Sequence, residues 1–254
     1  MALSDHLREL RGRVMRSVAV IVLAIIVALF FFKPLLDLVM GPYQHAQEIL
    51  GQETTIASTS GVSGGLMVSL KLCGMAGLIL TCPFWLHQIW AFILPGLHAN
   101  ERKWSRIFAA VAGPLFLIGI LLGYLTLPKG LEVLIGFTPE GTININDFSD
   151  YLSFFLRTLL VFGIAFEIPV FVVLLNAAGM VKGKTLAAFR PWIIVGTFVF
   201  AAVATPSADP FTMIALALPM VLLFFLSELI ARFVDRRRAR AKSAGPSPDE
   251  ASVL

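Results

Sequence analysis

Residues Ile107–Leu127 read IFAAVAGPLFLIGILLGYLTL and contain no charged side chain. An apolar run of this length can form a helix that crosses the ~30 Å hydrocarbon layer of a bilayer. Five further runs are free or nearly free of charge, and they lie at Ser17–Phe32, Leu72–Leu94, Tyr151–Ala178, Pro191–Ala204 and Phe211–Ser227. The pattern predicts an all-α membrane protein with six transmembrane helices.

The composition supports this prediction. Hydrophobic residues make up 57% of the 254 residues, charged residues only 14%, and the mean hydropathy is +0.85. A soluble domain of this size cannot bury so much apolar surface. We expect the first run to remain in the mature protein, because Asp5 and Glu9 precede it and no small-residue cleavage site follows it.

The distribution of Lys and Arg predicts the orientation. Basic residues collect in the N-terminal segment, the second loop, the fourth loop and the C-terminal tail, whereas the first and third loops are mainly acidic. Because cytoplasmic loops carry an excess of Lys and Arg, we expect both termini to face the cytoplasm. The net charge of +4 is therefore an orientation signal and no indication of a nucleic-acid partner.

We predict one domain with a short segment at each end. Residues 1–16 form a cytoplasmic amphipathic segment, 17–231 the transmembrane domain, and 232–254 a basic, disordered cytoplasmic tail. The helical spacing in the first segment rests on four apolar residues, Leu3, Leu7, Leu10 and Val14.

The last two spans are expected to be short. Fewer than ~20 residues lie between Arg190 and Asp209, and the turn around Pro206 uses several of them. We expect the fifth and sixth helices to be short for this reason, and Pro219 to bend the sixth.

Two acidic residues, Glu9 and Glu101, lie among basic residues on the predicted cytoplasmic side. A carboxylate there suits an arginine-bearing ligand, because guanidinium forms two parallel hydrogen bonds with it and lysine cannot. Each has a simpler interpretation. Glu9 can pair with Arg13 at i,i+4, contributing ~0.2–0.5 kcal/mol. Glu101 can follow an Asn100 cap as a first-turn acid, contributing ~0.3–1 kcal/mol.

Glu167 lies near the middle of the fourth predicted span. A carboxylate costs several kcal/mol there unless it is paired, protonated or facing water. Arg157 is ~15 Å away along the same helix, too far for a direct pair. Pro169 frees the carbonyl of Ala165, as happens where a helix lines a cavity. A purely structural role, with a protonated Glu167 bonded to a neighbouring helix, is the alternative.

Several motifs in order along the chain resemble the TatC family, the multi-spanning receptor subunits of the twin-arginine protein translocase. They extend from about residue 6 to the sixth span: His6-Leu-Arg-Glu9-Leu-Arg11, Pro42, Pro83, Gln88-Ile-Trp-Ala-Phe92, Pro95-Gly-Leu, Glu101-Arg102, Tyr124, Phe162-Gly, Phe166-Glu167-Ile-Pro169-Val, Arg190 and Thr205-Pro206.

The resemblance implies a concave, cup-like bundle that binds the twin-arginine signal peptides of folded cargo. It implies a signal-peptide site comprising Glu9, Arg11, Phe92, Pro95, Glu101 and Arg102. It implies intramembrane polar or partner contacts at Glu167, Pro169 and Tyr124. Weaker matches are Pro42, Thr205 and Asp209, the last because its turn is one residue longer than the family pattern.

The resemblance also implies partners and an energy source. The expected partners are single-span subunits of the TatA and TatB types, further copies of this chain and the lipid bilayer, in a bacterial plasma membrane. Transport is expected to use the proton-motive force. We expect no cofactor or metal, because no Gly-Lys-Ser/Thr phosphate loop occurs and Cys73 and Cys82 lie in an apolar span without a Cys or His cluster.

Two other classes of protein share single features with this sequence. An intramembrane serine protease could use Gly61-Val-Ser63-Gly64, but no His follows His98 to act as its base, so we expect no enzyme. A six-span secondary transporter or proton pathway could use Glu167 as its intramembrane site. Transporters of this kind often contain broken helices in both halves of the chain. In this sequence the first three spans show no counterpart of the short fifth and sixth spans.

Overall fold

The computed structural model describes residues 3–50, 55–58, 63–93, 101–139, 144–177, 179–206 and 209–243, without the side chains of 3–6, 50, 55–57, 101–109, 144–146, 238–239 and 241–243. Its elements are α1 (Leu3–Phe30), α2 (Phe32–Leu50), β1 (Thr55–Ser58), α3 (Gly64–Leu80), α4 (Cys82–Ile93), α5 (Glu101–Gly136), β2 (Asn144–Asp147), α6 (Phe148–Ala177), α7 (Gly183–Ala188), α8 (Arg190–Ala204) and α9 (Pro210–Ser243). The predicted all-α membrane architecture is confirmed.

Helix length limits the number of spans. Among the described residues, α1, α5, α6 and α9 are each long and apolar enough to cross a membrane, and α3 with α4 forms a bent fifth candidate. α8 has only 15 residues, or ~22 Å of helix at ~1.5 Å per residue. The predicted fifth helix is therefore short, as expected. Length and composition support at most five spans in this part of the chain, so the count of six is not confirmed.

The second predicted span, Leu72–Leu94, is broken at Thr81 into two helices that differ in direction by 60°. Pro83 cannot donate a backbone hydrogen bond, which favours a break. Two side chains bond carbonyls in the last turn of α3: the Thr81 hydroxyl donates to the Gly77 carbonyl at 2.7 Å, and the Trp85 indole donates to the Leu78 carbonyl at 2.9 Å. The break is thus compensated by local hydrogen bonds.

The C-terminal part of the chain corrects two predictions. The sixth helix is not short, because α9 continues through 34 residues to Ser243. The prediction of disorder from residue 232 is likewise wrong for residues 232–243, which are helical; the rest of the predicted tail, 244–254, lies outside the described residues. Within this segment, the Asp235 carboxylate accepts hydrogen bonds from the Asn176 side chain and the Gly183 amide, which join α9 to α6 and α7.

α1 passes from the predicted interfacial segment into the first span without a break. Its apolar span is almost entirely exposed within the protein, and it packs mainly against α3 and α4. The helices approach closely at Gly77, where an added Cβ would lie 2.7 Å from Cγ1 of Ile25. α1 therefore presents a long apolar surface to its surroundings.

The core of the bundle is the contact between α5 and α6. An added Cβ at Gly119 would lie 2.6 Å from the Phe162 carbonyl oxygen, and one at Gly163 would lie 2.8 Å from the Phe116 ring. Small residues that let two backbones approach are typical of helix contacts within membranes. Buried phenylalanine rings, including Phe116, Phe155 and Phe162, fill the space on both sides of this contact.

Two short strands lie outside the helices in the part of the chain that the structure describes. β1 and β2 pair in parallel, with Thr55 opposite Asn144 and Ser58 opposite Asp147. The pair joins the connection before α3 to the start of α6. The Asp147 carboxylate accepts the Ser149 amide at 2.7 Å, which caps the first turn of α6.

Candidate functional site

Glu9 lies on the second turn of α1 and is held by Arg13 one turn later. Nε and Nη2 of Arg13 donate to Oε1 of Glu9 at 3.0 and 2.6 Å, and Nη1 donates to Oε1 of Gln88 on α4 at 3.3 Å. The Glu9 side chain is 33% exposed and that of Arg13 20%. The i,i+4 pair considered from the sequence therefore exists, and a contact with α4 extends it.

A groove between α1 and α4 begins at this pair. It has a volume of about 500 Å³ and an almost wholly apolar wall. The predicted site residue Phe92 lines it, half-buried. The other lining residues are Leu10, Arg13, Val14, Ser17, Val18, Ile21, Leu78, Trp85, Gln88, Ile89 and Ile93. We call this cleft the α1–α4 groove. The fold thus places Glu9 and Phe92 in one region.

The structure gives less information on the other residues of the predicted signal-peptide site. Arg11 is exposed on α1. Pro95 lies outside the described residues, as does Asn100, the predicted cap. Glu101 and Arg102 are the first two residues of α5, and their side chains are not described. That Glu101 joins Glu9 in one site stays a prediction.

Glu167 is a half-buried residue of α6 whose carboxyl group faces α4. The indole N–H of Trp90 lies near enough to interact with it, but no hydrogen bond of ordinary geometry reaches either carboxyl oxygen. Both oxygens are nevertheless shielded from solvent. The rings of Trp90 and Phe171 lie 6.4 Å apart beside it. The structure therefore brings Glu167 against Trp90 on α4, the second of the two helices in the broken span.

Pro169 lies two residues further along α6 and is buried against α9. The Ser227 hydroxyl is within hydrogen-bonding distance of the Pro169 carbonyl at 3.2 Å and of the Leu223 carbonyl at 2.8 Å. An apolar groove of about 350 Å³ opens here between α5, α6 and α9. Pro169 thus marks a contact between helices rather than an isolated kink.

Tyr124 and Pro42 take part in one contact between α5 and α2, which lies away from the α1–α4 groove. Pro42 lies within α2 and has no amide hydrogen, so the carbonyl of Leu38, four residues earlier, lacks its usual helical donor. The Tyr124 hydroxyl donates to that carbonyl at 3.0 Å. The Tyr124 ring also packs edge-on against Phe155. The predicted intramembrane contact of Tyr124 is therefore occupied, in this chain, by α2.

Thr205 and Asp209 have structural positions at the turn between α8 and α9. The Thr205 hydroxyl donates to the Ala201 carbonyl at 2.8 Å at the end of α8. The Asp209 carboxylate accepts the Thr212 amide at 2.7 Å and so caps α9. Both side chains are buried. Their positions explain the sharp reversal, and nothing in them indicates a ligand.

Sequence reasoning missed a buried acid, Glu228, which is 2% exposed. Its two oxygens accept Nε and Nη2 of Arg190 on α8, both at 2.6 Å, and Arg232 approaches the same carboxylate at 2.6 Å. The sequence indicates Arg190 as a family motif residue, but it does not predict that Arg190 and Arg232 pair with Glu228. The sequence contained one signal: Glu228 is an acidic residue directly after the apolar run Phe211–Ser227. An acidic side chain requires a charged or hydrogen-bonding partner when it is buried.

A second polar contact lies beside this cluster. The Asp235 carboxylate accepts the Gly183 amide at 2.7 Å and the side-chain amide of Asn176 at 3.1 Å. It joins α9 to α7 and to the end of α6. Because α4 and α6 pack together through Trp90 and Leu174, these ends lie on the same side of the bundle as the start of α1.

Residues 5–219 match the family described as Sec-independent protein translocase protein (TatC). The chain is 40% identical to the Sec-independent protein translocase protein TatC of Frankia casuarinae, over 98% of this chain and 70% of that protein. It is 34% identical to the protein of the same name from Deinococcus radiodurans, over 97% and 91%.

The fold also matches solved structures. A crystal structure of the twin arginine translocase receptor TatC in DDM superposes with a TM-score of 0.73 at 30% identity, covering 89% of this chain and 99% of that one. A second crystal structure of this receptor gives a TM-score of 0.71 at 30% identity, covering 90% and 98%.

Proposed function

The chain belongs to the TatC family, and from that membership we propose that it is a receptor that binds the paired arginines of signal peptides at Glu9 and Glu101. It is a non-enzymatic component of a protein translocase. The observation that carries the proposed site is the arginine already bound by Glu9: Arg13 donates to its carboxylate at 3.0 and 2.6 Å, at the mouth of an apolar groove.

The α1–α4 groove suits the segment that follows the paired arginines. Signal peptides need an apolar environment for their hydrophobic portion, and this wall is formed by Val14, Val18, Ile89, Phe92 and similar residues. The peptide's arginines would orient it through polar contacts at Glu9, and its hydrophobic segment would pack against the apolar wall of the groove. The proposed order is therefore arginines at the rim, then the apolar segment past Phe92.

The protein is a multi-pass membrane protein of the bacterial membrane, and we propose that both termini face the cytoplasm. The start of α1 and the end of α9 lie on one side of the bundle, and both carry exposed arginines, among them Arg11 and Arg236. An excess of such residues is typical of the cytoplasmic side. Transport driven by the proton-motive force, without nucleotide, is part of the same proposal.

Partner subunits of the translocase are proposed to contact the chain within the membrane. Single-span TatA- and TatB-type helices would contact the fourth to sixth predicted spans, with Glu167 as a polar contact, and further copies of this chain would complete the assembly. The support for Glu167 is its position on α6, because an acidic side chain in the middle of a membrane span is costly unless a polar group pairs with it.

Binding of a signal peptide tests the receptor proposal. We expect an Arg-Arg peptide to bind the protein in lipid nanodiscs more tightly than its Lys-Lys counterpart of equal charge. Glu9→Gln and Glu101→Gln should each weaken Arg-Arg binding by about tenfold, since a charge-assisted hydrogen bond contributes about 1.5 kcal/mol or more. The measurement is peptide fluorescence anisotropy.

Glu132→Gln provides the matched control, because it removes an acid that pairs with Lys129 far along α5. This variant should bind like the wild type. Equal affinity for the two peptides, or unchanged binding in both Glu9→Gln and Glu101→Gln, would contradict the proposed site. Loss of binding in Glu132→Gln as well would show that overall charge, not the site, attracts the peptide.

Glu167 should tolerate glutamine better than leucine. Glutamine keeps a hydrogen-bonding group of the same size, so Glu167→Gln should retain most of the partner assembly and export. Glu167→Leu removes that group and should reduce co-purification of the single-span subunits several-fold, given about 0.6 to 2 kcal/mol for one polar contact between membrane helices. If both variants assembled normally, Glu167 would have only a packing role.

A further inference from the structure

Lys71 on α3 is a basic residue held by neutral oxygen atoms. Its ammonium group donates to the hydroxyl oxygens of Ser149 and Ser153 on α6, at 2.7 and 2.9 Å, and lies 3.4 Å from the Ser149 carbonyl oxygen. It forms no ion pair with an acidic residue that the structure describes. These bonds join α3 to α6, and they leave the positive charge of Lys71 without a counter-charge in this part of the chain.

Arg157 adds a second positive charge on the same side of α6. Ser149, Ser153 and Arg157 are spaced by four residues, so they share one side of the helix. Arg157 is exposed and forms no hydrogen bond or ion pair with a residue that the structure describes. Because helical side chains lean toward the N-terminus, its guanidinium can extend toward Ser153. We call Lys71, Ser149, Ser153 and Arg157 the α3–α6 basic patch.

The packing of α5 against α6 indicates where the bilayer begins. The Tyr124 ring packs against Phe155, and the two helices run in opposite directions, so residues further along α5 lie beside the first two turns of α6. Lys129 and Glu132 form an exposed ion pair at that level. Charged pairs of this kind are rare within the hydrocarbon layer. The first two turns of α6 therefore lie at its edge.

The α3–α6 basic patch lies at this edge. Lys71 is there because it bonds the first two turns of α6. Arg157 is four residues beyond Ser153, or ~6 Å deeper at ~1.5 Å per residue. A long basic side chain at such a depth extends its charged end to the interface. Further along the same side of α6, Ile164 and Ile168 are exposed. Two cations at the level of the lipid phosphates thus lie above an apolar surface.

We propose that the α3–α6 basic patch binds the phosphate of an anionic phospholipid, whose acyl chains lie along the exposed side of α6. The lipid belongs to the leaflet at the end of the bundle opposite the start of α1. An ammonium, a guanidinium and serine hydroxyls can all donate to the oxygens of one phosphate. Basic pockets between transmembrane helices are a known type of site for anionic headgroups. This lipid site is independent of the proposed signal-peptide site.

The charge of the patch favours an anionic lipid. Asp150, the acid nearest to it in sequence, lines a cavity with Tyr43 and Leu131 and forms no ion pair with Lys71 or Arg157. A positive patch disfavours the ammonium of a zwitterionic headgroup, whereas phosphatidylglycerol carries no cation. A carboxylate on a partner helix would match the charge too, but it would first have to leave water for this depth, which is costly. The lipid phosphate is already at that level.

Native mass spectrometry of the full chain in a non-ionic detergent tests the proposal. Delipidated protein is titrated with phosphatidylglycerol and with phosphatidylcholine of the same acyl chains. We expect the first phosphatidylglycerol to bind at least about fivefold more tightly than phosphatidylcholine, and Arg157→Gln to lower its affinity by about fivefold, the contribution of one basic residue near an anionic surface. Lys71→Gln should have a similar effect. Arg157→Lys should retain most of the affinity, because an ammonium also binds phosphate.

Lys129→Gln is the matched control. It removes one positive charge at the same level of the bundle, but that charge already pairs with Glu132. The variant should leave the affinity for phosphatidylglycerol unchanged. Arg157 bonds no residue that the structure describes, so Arg157→Gln should keep the helical content of the wild type, which circular dichroism checks.

Several results would overturn the proposal. Equal affinity of the wild type for the two lipids would do so, as would equal effects of Arg157→Gln and Lys129→Gln. Displacement of the lipid by inorganic phosphate at the same concentration would indicate a site for a free anion. Unchanged lipid binding in Arg157→Gln, with reduced recovery of the single-span subunits, would assign Arg157 to a partner's carboxylate. No signal peptide is used, so the lipid site and the receptor site can fail independently.

Discussion

Replacing both Arg190 and Arg232 by alanine is expected to cost about 3 to 5 kcal/mol of stability, the range found when a buried charge loses its partners. Glu228 is 2% exposed, whereas the two arginines are 43% and 41% exposed. The exposed arginines can be hydrated when their partner is removed, but the carboxylate cannot. Because only the carboxylate is buried, removing the two arginines should destabilise the protein more than removing Glu228.

Removing the acid as well should restore much of the loss. In the background without Arg190 and Arg232, Glu228→Leu should recover about 2 kcal/mol, because no charge is then left buried. Glu228→Leu in the wild type should cost less than the double arginine variant. Thermal unfolding of the detergent-solubilised protein, followed by circular dichroism, measures each member of this cycle.

The neighbouring pair Arg236 and Arg237 provides the control. Both are exposed on the same end of α9, and Arg237 lies over the Phe233 ring at 4.5 Å. Replacing both by alanine removes the same charge and should cost less than about 1 kcal/mol. Equal losses in the two double variants would show that general charge, not the Glu228 cluster, stabilises this end of the bundle.

Gly119→Ala should destabilise the bundle by about 2 to 3 kcal/mol, since overpacking a close contact forces backbone shifts. The added Cβ would lie 2.6 Å from the Phe162 carbonyl oxygen and 3.0 Å from Cα of Gly163. Both atoms belong to the backbone of α6 and cannot rotate away. α5 and α6 form the central helix contact, so their separation would also disturb α9 and α4, which pack against the same pair.

Gly74→Ala is the matched control for this prediction. An added Cβ at Gly74 meets nothing within 4 Å, and alanine is favoured over glycine within a helix by about 0.8 to 1 kcal/mol. Gly74→Ala should therefore be neutral or stabilising in the same unfolding experiment. The contact interpretation fails if the two substitutions shift the unfolding temperature by the same amount and in the same direction.

The apolar runs in the sequence predicted the long helices, because a helix that spans the membrane is determined by the local composition of the chain. The runs beginning at Ile107 and Tyr151 correspond closely to α5 and α6, whose length the bilayer sets. The break at Thr81 was missed because a single proline within an apolar run also occurs in continuous helices, such as α6. Side chains from the neighbouring turn decide whether the freed carbonyls are satisfied, and a hydropathy pattern does not contain that information.

The candidate site was predictable where its contacts are local. The Glu9–Arg13 pair follows from i,i+4 spacing, and the structure contains it. The contact of Arg13 with Gln88 joins residues 75 positions apart, and that of Arg190 with Glu228 joins residues 38 apart. Such pairs depend on how helices pack, so spacing along the chain does not predict them. The contact of Asp235 with Asn176 joins residues 59 apart and is of the same kind.

The Pro42–Leu38–Tyr124 contact has a consequence for how these sequences diverge. A chain that replaces Pro42 by a residue with an amide hydrogen regains the normal helical donor to the Leu38 carbonyl, and the Tyr124 hydroxyl is then dispensable. A chain that loses the hydroxyl first leaves the carbonyl without either donor. Replacing Pro42 before Tyr124 is therefore easier than the reverse order, and we expect few related sequences that keep proline at position 42 without tyrosine at position 124.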